Sequence, residues 1–456
     1  MVFSSLEFIL MFLPIFYVVY AAAPRAAKNL CLFIASLAFY AIGVIKNPFY
    51  LPLFVVSLTV NFVVGIAVEK GKKHARLFLS LGVIYNISLL FLFKYSSFFA
   101  EVILNRKISE FVLPIGISFY IFQCISYLVD VYRGHTASRS FINLGTYISM
   151  FPQLIAGPIV RYGDVAEQLK ERSVDKNKLW DGVSSFIFGL GLKVLLANRL
   201  GSLWNDINII GYDAITTPAA WLGIVAFTLQ IYFDFWGYSL MAIGLGKTMG
   251  FDLPKNFDYP YTALTMTDFW RRWHITLGTW FREYVYIPLG GNRKGKCRTY
   301  INLFVVWFLT GFWHGANWNF VIWGLLLFFL IAIEKAGFGK ILTRYKIVGR
   351  VYMIITILLS WLLFATEDIS AFTMYIKSLI GLGGEFAYAW DFVKYIKFYG
   401  VFLVLGTALA TSLPKIIYKK IKGNKGVLIT ILTAIVILSF YCMYKGMNDP
   451  FMYFRF

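Results

Sequence analysis

Charge, histidine and cysteine are all scarce in this chain of 456 residues. Charged residues make up 14% of it against 59% hydrophobic, which excludes a soluble globular protein, because too few polar groups remain to build a solvated shell. The four cysteines, Cys31, Cys124, Cys297 and Cys442, lie far apart without metal-ligand spacing or disulfide-like pairing. That excludes a zinc ribbon and a disulfide scaffold, and no metal site is expected. No Asp-x-Asp occurs, so the metal or sugar-phosphate site expected of a membrane glycosyltransferase is lacking. There is no Gly-Asp-Ser nucleophile block either. No internal repeat stands out, which counts against an inverted-repeat transporter.

What is there is a succession of apolar runs of transmembrane length. Twelve segments, near 5–23, 29–45, 50–68, 77–93, 111–130, 180–198, 219–245, 300–315, 318–334, 350–365, 398–413 and 426–444, are long enough to cross a hydrocarbon layer of ~30 Å. They predict an all-α polytopic membrane protein of about 11–13 transmembrane helices, one membrane domain over 1–456. A transmembrane β-barrel would show shorter, alternating segments. The stretch Met1–Ala23 lacks a basic leader and contains Glu7, so it is read as a retained span rather than a cleaved signal.

Acidic residues are also few, 23 against 43 Lys and Arg, for a net charge of +20. Such a balance raises the question of nucleic acid, but the charges are not spread at random. With the loops assigned alternately to two sides, 24–29, 69–76, 131–140, 161–178, 247–298, 335–350 and 414–425 carry 32 of the 43 basic residues. That is the positive-inside pattern. It predicts these loops cytoplasmic, and both termini, including the tail 446–456, outside. The basic excess then reads as topology and attraction to anionic membrane lipid, with no nucleic-acid partner.

Two stretches are not plain spans. Residues 141–160 are apolar but broken by Gly145, Pro152, Gly157 and Pro158, which predicts a re-entrant or interfacial hairpin. Residues 253–291 carry Asp258, Asp268, Arg271, Arg272, His274, Arg282 and Glu283 among Trp270, Trp273 and Trp280. They predict amphipathic helices at the cytoplasmic interface, dipping inward.

Only four histidines occur, and one of them, His314, lies inside the apolar run from Ile301 to Ile333. An ionisable group at membrane depth is a functional candidate by default. His274 lies 40 residues earlier on a different element, and tryptophans, Trp273 and Trp313, flank the two imidazoles. One ring can take a proton from an attacking hydroxyl, while the other orients an acyl donor or holds a carbonyl oxygen as charge develops on it. Arg271 and Arg272 suit a phosphate-bearing donor such as coenzyme A or a phosphopantetheine carrier. Asp234, in mid-span, is costly unless paired or hydrated. Asn317 lies one turn from His314 if the helix continues, where it would fix the imidazole tautomer. Lys193 is expected to snorkel to the interface, and His74 and His135 to be solvated in basic loops. Taken singly, each of these has a plain alternative: a packing histidine, an aromatic belt, positive-inside arginines.

Their combination is more specific. Leu253-Pro254-Lys255-Asn256-Phe257-Asp258-Tyr259-Pro260-Tyr261 is followed by Asp268-Phe269-Trp270-Arg271-Arg272-Trp273-His274-Ile275-Thr276-Leu277, then Tyr286-Ile287-Pro288-Leu289-Gly290-Gly291-Asn292, then Gly311-Phe312-Trp313-His314-Gly315-Ala316-Asn317-Trp318. This block resembles the membrane-bound O-acyltransferase family, in particular the bacterial branch that includes the membrane subunit of alginate O-acetylation. The resemblance extends to Met1-Val2-Phe3-Ser4-Ser5, to Tyr232-Phe233-Asp234-Phe235 and to the last residues, and so covers nearly the whole chain. One departure is Trp236, where relatives often have Ser.

The resemblance implies a bundle around a central tunnel, with His314 as the catalytic histidine and His274 at the family's second motif position. It implies acyl transfer from a cytoplasmic donor, acetyl-CoA, with no tightly bound cofactor. The acceptor would be an extracellular or cell-wall polysaccharide, reached through a periplasmic or surface-tethered SGNH-type O-acetyltransferase. The tail Pro450–Phe456 is similar to a terminal tyrosine motif of this branch, in which Tyr453 would carry the acyl group, a role open to a phenol activated by a nearby base. The setting implied is a bacterial cytoplasmic membrane. D-alanyl transfer to teichoic acid from a carrier-protein thioester is the alternative within the class, and a polysaccharide or lipid transporter the alternative outside it.

Overall fold

The computed structural model describes residues 2–106, 111–384, 388–421 and 423–446. Among them every regular element is helical and none is a strand. This is the arrangement a chain in hydrocarbon is driven to, since a helix satisfies its own backbone polar groups. Among the described residues nine helices are long and apolar enough to cross a membrane: Arg25–Gly43, Tyr50–Lys70, Lys72–Leu104, Lys176–Ile210, Thr217–Thr248, Trp318–Arg344, Lys346–Ala365, Asp391–Leu409 and Lys425–Tyr444. The other three expected spans fall on the shorter apolar helices Phe8–Ala22 and Ile117–Tyr132 and on Gly295–His314. Each of the twelve expected segments therefore coincides with a helix, though 111–116 is not helical, and the all-α polytopic architecture stands.

The chain forms two compact units, one of Met1–Phe186 with Tyr238–Lys255, the other of Ile187–Gly237 with Asn256–Phe456. In the first, Phe151 sits among the rings of Phe3, Phe8, Phe12, Phe16 and Phe39 at 5.2–6.5 Å between centroids. Asn61 and Asn86, both fully buried, join two helices by reciprocal amide bonds of 3.2 and 2.8 Å. The stretch 141–160 contains two short helices, Phe141–Ser149 and Phe151–Leu154, broken at Met150. Its irregular backbone is enclosed in protein: every residue from 144 to 160 is buried. The basic-loop histidines His74 and His135 are exposed as expected.

The second unit is built on aromatic packing. Trp361 lies against Trp273 (4.8 Å), Phe364 (5.5 Å) and Trp323 (6.2 Å), and Trp270 against Trp307 (5.1 Å) and Trp323 (5.5 Å). Trp318–Arg344 is kinked at Gly337, whose φ of 142° only glycine adopts readily. Just before the kink, buried Glu334 accepts bonds from the Met266 and Thr267 main-chain N–H groups, the Thr267 hydroxyl and the Tyr352 hydroxyl, at 2.5–3.1 Å. A carboxylate from one helix thus satisfies the open N-terminus of another, Met266–Arg272. Of the four cysteines, Cys297 is exposed, Cys31 half-buried, and Cys124 and Cys442 buried.

Candidate active site

The short helices Met266–Arg272 and Ile275–Phe281 are joined by Trp273 and His274. His274 has φ 45°, ψ 52°, a left-handed conformation uncommon outside glycine and a mark of strain where the surroundings impose it. Here they do. The segment 256–258 runs beside 272–275, with the Asp258 N–H donating to the Arg272 carbonyl (3.0 Å) and the Ile275 N–H to the Asn256 carbonyl (2.9 Å). The side-chain oxygen of Asn256 meets His274 Nδ1 at 3.0 Å. The turn is therefore held on both sides and by the imidazole itself.

His314 is the last residue of Gly295–His314. That helix and Trp318–Arg344 touch backbone to backbone: a Cβ on Gly311 would meet the Phe320 carbonyl oxygen at 2.3 Å and the Gly324 Cα at 3.1 Å. The close approach sets His314 edge-on to Trp323 (5.2 Å) and Phe364 (5.3 Å). Trp313 connects the two histidines, 4.9 Å from the His314 ring and 6.2 Å from that of His274, and Phe235 closes on His274 at 4.7 Å. Both imidazoles are buried. Burial, and after it the neighbouring His314, holds His274 well below the ordinary histidine range, so it is a neutral imidazole at physiological pH. Two imidazoles in an aromatic enclosure can exchange protons with a bound group while bulk water is kept away.

The remaining expected residues fall in several places. Trp273 is core, packed between Phe257 (5.1 Å), Phe269 (5.5 Å) and Trp361 (4.8 Å). Arg272 is tied to Asp268 (2.8 Å) and to the Thr262 hydroxyl (3.1 Å), whereas Arg271 is exposed with its charge available. Asn317 does not lie on the His314 helix. That helix stops at Gly315, and Asn317, exposed, caps the next one, accepting from the Trp318 N–H (2.6 Å) and donating to the Glu367 carbonyl (3.1 Å). Its expected hold on the His314 tautomer is therefore corrected. Lys193 does not snorkel. It is wholly buried and paired with Asp234 at 2.7 Å, which also answers the cost of an aspartate in mid-span. Tyr453 lies outside the described residues. Among the described residues no three His, Cys, Asp or Glu side chains gather as a metal ion requires.

Asn256 and Glu334 are the residues sequence reasoning passed over. Asn256 stands within the quoted motif with no apparent task, and Glu334 ends an apolar run where an acid reads as an interface charge.

Comparison with known proteins bears directly on this arrangement. The model of the membrane-bound O-acyltransferase family matches residues 30–376. The chain is 41% identical over 383 residues to the probable alginate O-acetylase AlgI of Pseudomonas syringae pv. tomato, covering 81% of this chain and 73% of that protein. It is 35% identical over 431 residues to the peptidoglycan O-acetyltransferase of Helicobacter pylori, covering 84% and 80%. A more distant likeness, 27% over 261 residues and 53% and 64% of the two chains, is to the teichoic acid D-alanyltransferase of Bacillus subtilis. The described helices, nine of them long and apolar enough to cross a membrane, are those of an integral membrane protein. The chain belongs to the membrane-bound O-acyltransferase family and is an O-acyltransferase.

Proposed function

We propose that this chain takes an acetyl group from acetyl-CoA on the cytoplasmic side of a bacterial cell membrane and passes it outward for O-acetylation of an extracellular or cell-wall polysaccharide. The observation that carries the reading is the meeting of His274 and His314 through Trp313 in a buried aromatic cluster. The relatives supply the acyl group and the acceptor class, since those with 35–41% identity are named for acetylation of alginate and peptidoglycan. His314 takes the proton of the attacking hydroxyl. The hydroxyl oxygen bonds to the acyl carbon, the C–S bond breaks, and the thiolate leaves with a proton returned by the imidazole.

The basic loops face the donor in this reading, and exposed Arg271 meets coenzyme A phosphates. Arg272, already neutralised by Asp268, contributes less. Helix geometry supports the direction of transfer. His314 lies 16 residues along its helix from Arg298, or about 24 Å at 1.5 Å per residue, so it sits towards the side away from the basic loop. The outward steps are assigned to Tyr453 as acyl carrier and to an SGNH-type partner that completes transfer to the sugar.

Purified protein incubated with labelled acetyl-CoA and mapped by mass spectrometry should show label on the C-terminal tail, and Tyr453→Phe should lose it. His314→Ala should lower transfer about 10²–10⁴-fold, the range a general base contributes, with the protein still monodisperse; retained turnover removes the central claim. D-alanyl transfer is the second reading, favoured only by relatives that match about half of this chain. Label accepted from a D-alanyl carrier protein and refused from acetyl-CoA would establish it instead.

A further inference from the structure

The side-chain oxygen of Asn256 is a fixed point around which three groups gather. The Thr276 main-chain N–H approaches it at 3.4 Å and the Thr276 hydroxyl at 3.0 Å, and His274 Nδ1 stands 3.0 Å away. A main-chain N–H can only donate, so the Asn256 atom facing it is the carbonyl oxygen and not the amide nitrogen. An amide oxygen only accepts. His274 Nδ1 must therefore carry a proton. A neutral imidazole has one N–H, which leaves the lone pair on Nε2. That Nε2 is buried and has no protein hydrogen-bond partner among the described residues.

We propose that Asn256 is a positioning residue that locks His274 in the Nδ1–H tautomer and so presents Nε2 as an acceptor to the reacting groups. The proposal rests on the reading of this histidine cluster as the site of acyl transfer. It also changes the part His274 plays. A neutral ring whose only N–H is committed to Asn256 cannot donate through Nε2 to a carbonyl oxygen gaining charge. His274 instead receives a hydrogen bond or a proton, and stabilisation of the oxyanion falls to other donors. The left-handed turn at His274 fits this purpose, because it brings the ring's Nδ1 edge back to Asn256, 18 residues earlier in the chain.

The test uses the full-length protein in detergent, labelled with 15N-histidine, with the His274 resonances assigned by their loss in His274→Gln. Wild type should show a protonated Nδ1 and a lone-pair Nε2. Asn256→Asp keeps an acceptor and should keep both that tautomer and turnover, within about threefold. Asn256→Leu, similar in size but without an acceptor, should show mixed tautomers and a kcat about 10²–10⁴-fold lower, the range of a misplaced proton-transfer group, with KM for the donor unchanged. A protonated Nε2 in wild type overturns the proposal, and so does wild-type kcat in Asn256→Leu. Should Asn256→Leu fail to fold, Asn256→Asp decides: an inactive but folded enzyme with the wild-type tautomer overturns it equally. The tautomer is read without substrate, so retained turnover in His314→Ala would remove the parent reading and leave this result standing.

Discussion

Lys193 and Asp234 meet at 2.7 Å with essentially no exposure, and Lys193 also reaches the Asn198 side chain at 3.3 Å. Lys193 stands on a π-helical turn, Leu192–Ala197, a local widening often found at functional positions. Removing one charge strands the other in a low-dielectric interior, so Asp234→Asn should cost about 3–5 kcal/mol, while the double change Lys193→Met with Asp234→Leu should be close to neutral. Thermal unfolding in detergent separates the outcomes, and equal losses in single and double variants would show the pair is not coupled. The sequence told half of this. An aspartate in mid-span announces that it needs a partner, but the partner lies 41 positions earlier and only folding brings it near. The two catalytic candidates were legible for a related reason, since rare imidazoles among tryptophans stand out in an apolar chain. Asn256 was not legible: its oxygen acquires meaning only when the turn at His274 folds back on it.

At the scale of elements, the site depends on two contacts made by the Trp318–Arg344 helix. Near one end, Gly311 and Gly324 let backbones touch. An added methyl at Gly311 would fall 2.3 Å from the Phe320 carbonyl oxygen, main-chain structure that cannot swing aside. Gly311→Ala should therefore lose at least the 1–3 kcal/mol of an overpacked core and displace His314, lowering turnover as well as the melting temperature. Near the other end, Glu334 holds the helix that leads to His274. Glu334→Gln keeps the shape but turns an amide N–H towards one of the donors, at a cost of about 1–3 kcal/mol, read by the same melt. Helix boundaries were legible to within a turn around His314, because Gly315 and Asn317 interrupt the apolar run. The start of Asp391–Leu409 was placed seven residues late, because Lys394 and Lys397 mask its first turns in a hydropathy pattern. That Gly311 and Gly324 face each other follows from packing and left no trace in periodicity.

For the whole molecule, twelve apolar segments predicted twelve helices, since length and apolarity are what a bilayer selects for. The division into two compact units was not foreseen, because it depends on contacts between segments distant in the chain. The charge asymmetry from which an orientation is predicted is a property of loops. One of those loops, 247–298, contains Cys297, three residues into the Gly295–His314 helix and the exposed member of the four cysteines. The unmodified protein therefore brings its own reporter of sidedness. A membrane-impermeant maleimide should leave Cys297 untouched in intact spheroplasts and label it in inverted vesicles, with Cys297→Ser abolishing the signal. Labelling from outside would reverse the orientation, and with it the direction in which the acyl group is carried.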